Sequence, residues 1–186
     1  KKKIKMRHSA LLTVAPTGTI SMIANVSSGL EPLYGICFIK TVLDGSEMLF
    51  VNEHFEKVAR QKGFYSESLM REIAMRGSIR GIKQIPDDVK RIFVTAFDVA
   101  PEWHIKMQSA FQKHVDNAIS KTINFSSNAT IEDVEKAYMM AYDFGCKGIT
   151  VYRNASMESQ VLDVAAANGP LVTTNIKKKK ERCKDC

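Results

Sequence analysis

The feature that most constrains the fold is a strand, helix, strand pattern in residues 118–152. Small or apolar residues alternate with polar ones from Ala118 to Phe125, which is typical of a strand whose two faces differ. Thr130 to Asp133 is close to a capping box, and it predicts the start of a helix that Gly145 ends. A second strand follows over residues 146–152. Because a helical crossover joins parallel strands, the pattern predicts an α/β fold.

The two faces of the first strand allow two interpretations. Ser120, Thr122 and Asn124 lie on one face, opposite Ile119, Lys121, Ile123 and Phe125. In a barrel, one face of each strand packs against a helix and the other points into the lumen. The three small polar side chains would suit a lumen that handles a polar ligand. They would equally suit a strand that is half exposed to solvent.

A strand, turn and helix junction near the start of the chain predicts an anion site. Residues 10–14 read as a buried strand, which Ala15-Pro16 ends, and a helix opens at about Ile20. Glycine lets the backbone approach an oxygen-rich ligand, and hydroxyl groups add neutral donors. The candidate phosphate-binding residues are Thr17, Gly18, Thr19, Ile20 and Ser21. No Walker A sequence follows, and an ordinary capped junction is the alternative.

The middle of the chain predicts a hairpin followed by a series of capped helices. Residues 33–42 and 47–51 flank Asp44-Gly45, which is typical of a hairpin turn. Asn52 and Ser66 are positioned to cap the first two helices. The starts of two further helices are predicted at Pro86, with Val89, Ile92 and Phe93 inward, and at Pro101.

The helix that begins at Pro101 carries an apolar stripe of Trp103, Met107 and Phe111. Residues at this spacing share one helix face, and we expect that face to be core. His104 lies beside the stripe, but a single helical histidine is weak evidence of metal ligation, and no metal site is predicted from it. His54 lies on a charged helix, where a solvated surface position is expected.

Composition and charge exclude some classes of function. With 45% hydrophobic and 25% charged residues, the chain can build a globular core. The net charge of +7 lies at the ends: residues 1–7 carry five cations, residues 177–186 carry six against two acidic groups, and residues 8–176 sum to −2. This distribution does not favour nucleic-acid binding. No run suits a membrane span or a signal peptide, so a cytoplasmic location is expected, with Cys37 and Cys146 as free thiols.

The last segment, residues 164–186, predicts a disordered, lysine-rich tail that ends in a CxxC motif. Cations on both sides of Cys183 and Cys186 favour the thiolate form, so the pair could cycle between dithiol and disulfide as a redox shuttle. One CxxC supplies only two of the four ligands of a structural zinc site. Half of a zinc site and an inert end are therefore the alternatives.

Several long sequence words, in order, resemble the adenosylcobalamin-dependent (class II) ribonucleotide reductases. The words are APTGTISMIA from Ala15, SSGLEPL from Ser27, DVAPEWH from Asp98, QSAFQK from Gln108, DNAISKTIN from Asp116 and GCKGITVYR from Gly145. The resemblance runs from about Arg7 to about Leu162. Ser126 departs from the family pattern, which usually has proline there.

The resemblance implies that residues 1–163 form the C-terminal part of a ten-stranded α/β barrel. The chain would be a fragment or split product of an enzyme that reduces ribonucleotides through a cobalamin-derived radical, with residues 17–21 on the substrate phosphates. The principal catalytic cysteines and most of the adenosylcobalamin site would lie in an N-terminal remainder. A thioredoxin-like reductant and a homodimer of the complete enzyme are also implied. The alternatives are a stand-alone phosphate-binding module without catalysis and a purely structural subunit.

Overall fold

A computed structural model of the chain describes residues 5–41, 47–154 and 156. The helices are α1 (Gly18–Ala24), α2 (Glu53–Gln61), α3 (Glu67–Arg76), α4 (Asp87–Ile92), α5 (Pro101–Gln112) and α6 (Ile131–Asp143). The strands are β1 (Cys37–Thr41), β2 (Glu47–Val51), β3 (Thr122–Phe125) and β4 (Thr150–Arg153). The Asp44-Gly45 turn and residues 164–186 lie outside the described residues. None of the described helices has the length and apolar character that crossing a bilayer requires.

The predicted strand, helix, strand unit is confirmed. β3 and β4 pair in parallel, with Thr122 opposite Thr150 and Phe125 opposite Arg153, and α6 connects them. A full capping box starts α6: the Thr130 hydroxyl accepts from the Asp133 N–H, and the Asp133 carboxylate accepts from the Thr130 N–H. The ladder covers only the last four residues of the predicted strand, because residue 119 pairs with a different segment.

That segment is residues 10–14, where the prediction of a buried strand is wrong. Val14 makes a single parallel bridge with Ile119, and the Asp116 carboxylate accepts from the N–H groups of Leu11 and Leu12 at 2.7 and 3.0 Å. The side chains of Leu11 and Leu12 are exposed, since no described residue packs over them. The segment therefore extends the parallel order at the edge of β3, without a buried face of its own.

One hydrophobic core joins the hairpin to three helices. β1 and β2 pair antiparallel, as predicted, with Cys37 opposite Val51. Asn52 Oδ1 accepts from the N–H groups of His54 and Phe55, and Ser66 Oγ accepts from that of Leu69, so both predicted caps are confirmed. The buried side chains shared by these elements include Ile36, Phe55, Leu69, Met70, Ile73, Ile79, Val89 and Phe93. Ile92, predicted to face inward, is exposed.

The helix α5 buries the opposite face from the one that its apolar stripe predicts. Trp103, Met107 and Phe111 are 63%, 49% and 43% exposed. The buried face consists of His104, Ile105, Gln108, Ser109 and Gln112. These polar side chains bond to distant backbone: the Gln108 amide donates to Gly148 O at 2.6 Å, and the Ser109 hydroxyl donates to Phe144 O at 2.9 Å. The buried face of α5 is thus held largely by side-chain hydrogen bonds, although the Gln108 Oε1 atom is buried without a partner among the described residues.

The orientation of α5 gives a matched pair of stability predictions. Trp103→Ala should change the free energy of unfolding by less than about 0.5 kcal/mol, because the ring is largely in solvent. Ile105→Ala should cost about 2–5 kcal/mol, because that side chain is 1% exposed and lies in the core of β3 and α6. Urea unfolding of the two variants measures both values. A larger loss for Trp103→Ala than for Ile105→Ala would contradict the observed orientation.

Candidate functional site: the phosphate turn and its support

The phosphate turn, which we define as residues 17–21, presents backbone donors to solvent. Thr17 adopts a left-handed conformation (φ 52°) just before α1, and its carbonyl accepts from the Ser21 N–H at 3.0 Å. Within the described residues, the N–H groups of Gly18, Thr19 and Ile20 donate to no acceptor, and all three residues are exposed. Consecutive free N–H groups at such a turn can bind an anion.

Two of the three predicted hydroxyl donors have structural partners. The Thr17 hydroxyl accepts from the Gly29 N–H at 2.9 Å, and the Ser21 hydroxyl is buried and donates to Gly18 O at 2.7 Å. The Ser21 proton is therefore not available to a ligand. Thr19 carries the exposed hydroxyl of the turn. The structure thus brings the five predicted residues together, with the backbone rather than the side chains as the main source of donors.

The glycine that the backbone requires is Gly29, not Gly18. Gly29 has φ +48°, and a Cβ there would lie 3.3 Å from the Ala15 carbonyl oxygen. Gly18 has no positive φ, and a Cβ on it would meet nothing within 4 Å. The space that a side chain on Gly18 would enter is therefore open.

A buried lysine contacts Glu31, in the loop that follows α1, and the sequence did not identify it. The Lys121 side chain is 1% exposed. Its ammonium donates to Glu31 Oε2 at 2.5 Å, to His104 Nδ1 at 2.8 Å and to the carbonyl oxygen of Thr122 at 2.6 Å. Three donors meet three acceptors, so the buried charge is fully hydrogen-bonded. Burial lowers the pKa of Lys121, and the bond to Glu31 opposes that shift.

The contacts of His104 define its protonation state. Because an ammonium group can only donate, Nδ1 of His104 accepts from Lys121, and Nε2 must carry the proton that it donates to Ala96 O at 3.0 Å. The ring is therefore neutral. Burial lowers the pKa of His104, and the charge of Lys121 adds to that effect, while the Ala96 carbonyl opposes it.

The lowered pKa of His104 predicts a loss of stability in acid. As the pH falls below the ordinary histidine pKa of about 6.5, the unfolded chain takes up a proton that folded His104 does not. The free energy of unfolding should therefore fall between pH 7.5 and 5.5. Urea titrations at both pH values, on dilute protein, should show a smaller fall in His104→Gln than in the unsubstituted chain. An equal fall in both proteins would contradict this role.

A cavity of about 440 Å³ in the described part of the chain does not coincide with the turn. It lies at the carboxyl end of β3, between the start of α5 and α6, and it is lined by residues such as Asn124, Phe125 and Ala137. No group of three or more metal-ligating side chains occurs in the described part of the chain. The phosphate turn is a surface feature, since Gly18, Thr19 and Ile20 are exposed and none of them lines this cavity.

The sequence from residue 2 to residue 152 matches the ribonucleotide reductase barrel domain. The chain belongs to this family. It is 51% identical over 167 residues to the vitamin B12-dependent ribonucleoside-diphosphate reductase of Thermoplasma acidophilum, covering 90% of this chain and 22% of that protein. The protein of the same name from Mycobacterium tuberculosis strain H37Rv is 46% identical over 160 residues, covering 86% and 22%. The chain therefore spans about a fifth of these relatives.

A solved ribonucleotide reductase has the same arrangement of elements. The alpha subunit of the class Id enzyme of Actinobacillus ureae superposes with a TM-score of 0.67 at 25% identity, covering 80% of this chain and 27% of that subunit. The α/β fold expected from the family resemblance is thus confirmed, as part of the reductase barrel domain.

The described cysteines of this reductase chain are not activated. Cys37 is buried, and burial raises the pKa of its thiol to about 12. Cys146 is half-buried, and burial raises its pKa as well. Both are free thiols, as predicted. A thiol with a raised pKa is a poor nucleophile, and neither residue is activated by a nearby cation among the causes of its shift. Cys183 and Cys186 lie outside the described residues.

Proposed function

We propose that this chain supplies the substrate-phosphate site of a vitamin B12-dependent ribonucleotide reductase, which converts ribonucleotides to deoxyribonucleotides through a cobalamin-initiated radical. The observation that carries the proposal is the set of free N–H groups at Gly18, Thr19 and Ile20 in a chain about half identical to reductases of that name. These donors would bind phosphate equally in the ground and transition states. Their loss should therefore raise KM and leave kcat nearly unchanged.

The described residues do not themselves fit a cobalt centre. Both ring nitrogens of His104 are engaged, by Lys121 and by Ala96, and His8, His54 and His114 are single exposed side chains. We therefore place the adenosylcobalamin site mainly in the remainder of the reductase and assign no step through the cofactor to these residues.

The partners that we propose follow from the same function. They are the ribonucleotide, the remainder of the barrel, a second copy of the complete enzyme and a thioredoxin-like dithiol protein. The proposal includes neither nucleic acid nor a membrane. Cys183 and Cys186 are proposed to pass electrons from the dithiol protein to the barrel.

Reconstitution tests the proposed function. The chain is combined with the remainder of the reductase and adenosylcobalamin, and formation of deoxyribonucleotide is measured. We expect turnover only when both polypeptides and the cofactor are present. Full turnover without this chain would contradict the proposal, and tight nucleotide binding by the chain without any reconstituted turnover would favour a binding module.

Tyr152 is expected to act by packing. Its ring meets that of Tyr34 edge-on with centroids 6.4 Å apart, and Tyr34 in turn meets Phe97 at 5.3 Å. A radical generated within the site by cobalamin needs no relay tyrosine, so Tyr152→Phe should keep kcat within about twofold. Tyr152→Ala, which removes the ring, serves as the control for packing. Loss of turnover in Tyr152→Phe with unchanged circular dichroism would contradict this role.

A further inference from the structure

The buried cation Lys121, directly before β3, connects this strand to the loop that carries Glu31. Glu31 contacts the strand through both carboxylate oxygens: Oε2 accepts from the Lys121 ammonium at 2.5 Å, and Oε1 accepts from the Thr122 N–H at 2.6 Å. These two bonds fix the position of Glu31, which is 90 residues from Lys121 in sequence.

A short chain of contacts continues from Glu31 to the phosphate turn. The Glu31 N–H donates to Ser28 O at 2.8 Å, which closes a tight turn around Gly29. The Gly29 N–H donates to the Thr17 hydroxyl at 2.9 Å, and the Gly29 backbone lies against the Ala15 carbonyl. Thr17 is the residue in the left-handed conformation that begins the turn. Hydrogen bonds thus connect Glu31, through the turn at Gly29, to the residue that precedes the free N–H groups.

We propose that Lys121 and Glu31 are positioning residues for substrate phosphate, acting through Gly29 and Thr17. The inference rests on the proposed function of the phosphate turn. A buried ammonium that loses one of its partners is strongly disfavoured, so Lys121 restricts Glu31 to a single position. His104 and the Thr122 carbonyl satisfy the other two donors, so the carboxylate completes the set. The Lys121–Glu31 pair then fixes the position of the loop at Gly29. The Gly29 N–H in turn fixes Thr17 by donating to its hydroxyl.

The first test compares two lysine variants in the reconstituted reductase. Lys121→Met should raise the KM for the nucleotide at least fivefold and keep kcat within about twofold. The matched control is Lys62→Met, which removes an ion pair with Asp88 of 2.8 Å that is exposed on both sides and joins the end of α2 to α4. We expect no change of KM in the control. Glu31→Gln changes the partner of Lys121 and should also raise the KM for the nucleotide. If Lys121→Met fails to assemble, the KM of Glu31→Gln tests the proposal in its place.

The second test is a double-mutant cycle with Thr17→Val, which keeps the shape of the side chain and removes the hydroxyl that accepts from Gly29. If Lys121 acts through Thr17, Lys121→Met should add less than a twofold further rise in KM once Thr17 is replaced. If the rises in KM of the two single variants multiply fully in the double variant, the proposed route through Thr17 is overturned. Unchanged KM in both Lys121→Met and Glu31→Gln, while Gly18→Val raises it, would overturn the inference alone. Unchanged KM in Gly18→Val would remove the proposed function of the turn itself.

Discussion

Gly18→Val should raise the KM for the nucleotide substrate about 10- to 100-fold in the reconstituted reductase, because a branched side chain at a residue that itself carries a free N–H group should hinder the approach of the phosphate. A Cβ at Gly18 meets nothing within 4 Å, and the residue has no positive φ. The substitution should therefore leave the fold intact, and kcat should stay within about twofold. Initial rates over a range of nucleotide concentrations give both constants.

Two further variants separate substrate approach from backbone strain. Thr19→Ala removes the exposed hydroxyl and should cost less than Gly18→Val, on the order of 1–3 kcal/mol of binding free energy. Gly29→Ala is the contrasting case, because its φ of +48° and the Ala15 carbonyl oxygen 3.3 Å from a built Cβ strain the loop itself. That variant should lose stability as well as affinity. A KM unchanged in both Gly18→Val and Thr19→Ala would place the substrate phosphate elsewhere.

Replacing Cys183 and Cys186 together by serine should reduce turnover with a protein reductant to about one cycle per enzyme. In our proposal the pair exchanges with the disulfide left in the barrel after each turnover and is then reduced by a dithiol protein. The proposal treats the roughly 20 residues between Val164 and Arg182 as a flexible linker, for which a root-mean-square reach of roughly 20–25 Å is expected. That is enough to reach from a buried site to the surface.

The choice of reductant distinguishes the shuttle from its alternatives. A small dithiol can enter the barrel directly, so the double serine variant should keep its activity with that reductant. Equal loss with the small dithiol and the protein reductant would indicate a structural role, such as half of a zinc site. Equal activity with both reductants would show that the CxxC motif takes no part in turnover.

The elements that the sequence predicted well are those that depend on local chemistry. Asn52, Ser66 and Thr130 each cap the helix that follows, because a side-chain oxygen can reach an N–H only two or three residues ahead. The β1 and β2 hairpin and the parallel β3 and β4 pair follow from the spacing of turns and a helical crossover. Such signals lie within one element or between elements that follow one another along the chain.

The features that the sequence did not predict depend on distant partners. The buried face of α5 is polar because Gln108 and Ser109 meet carbonyl groups 35–40 residues further along the chain. Lys121 lies in an alternating strand like any surface lysine, and its partner Glu31 is 90 residues away. Residues 17–21 were predicted as a unit, but the sequence could not show that Gly29 rather than Gly18 carries the positive φ.

The central claim is that the N–H groups of residues 18–20 bind substrate phosphate, and amide hydrogen exchange of the reconstituted reductase tests it most directly. Exchange is measured in these residues without ligand, with the nucleoside and with the nucleoside diphosphate, and α3 (Glu67–Arg76) serves as the internal reference. We predict that the diphosphate slows exchange at Gly18, Thr19 and Ile20, while the nucleoside and the reference helix show no such change. Equal exchange at these three residues with and without a saturating concentration of the diphosphate would contradict the claim.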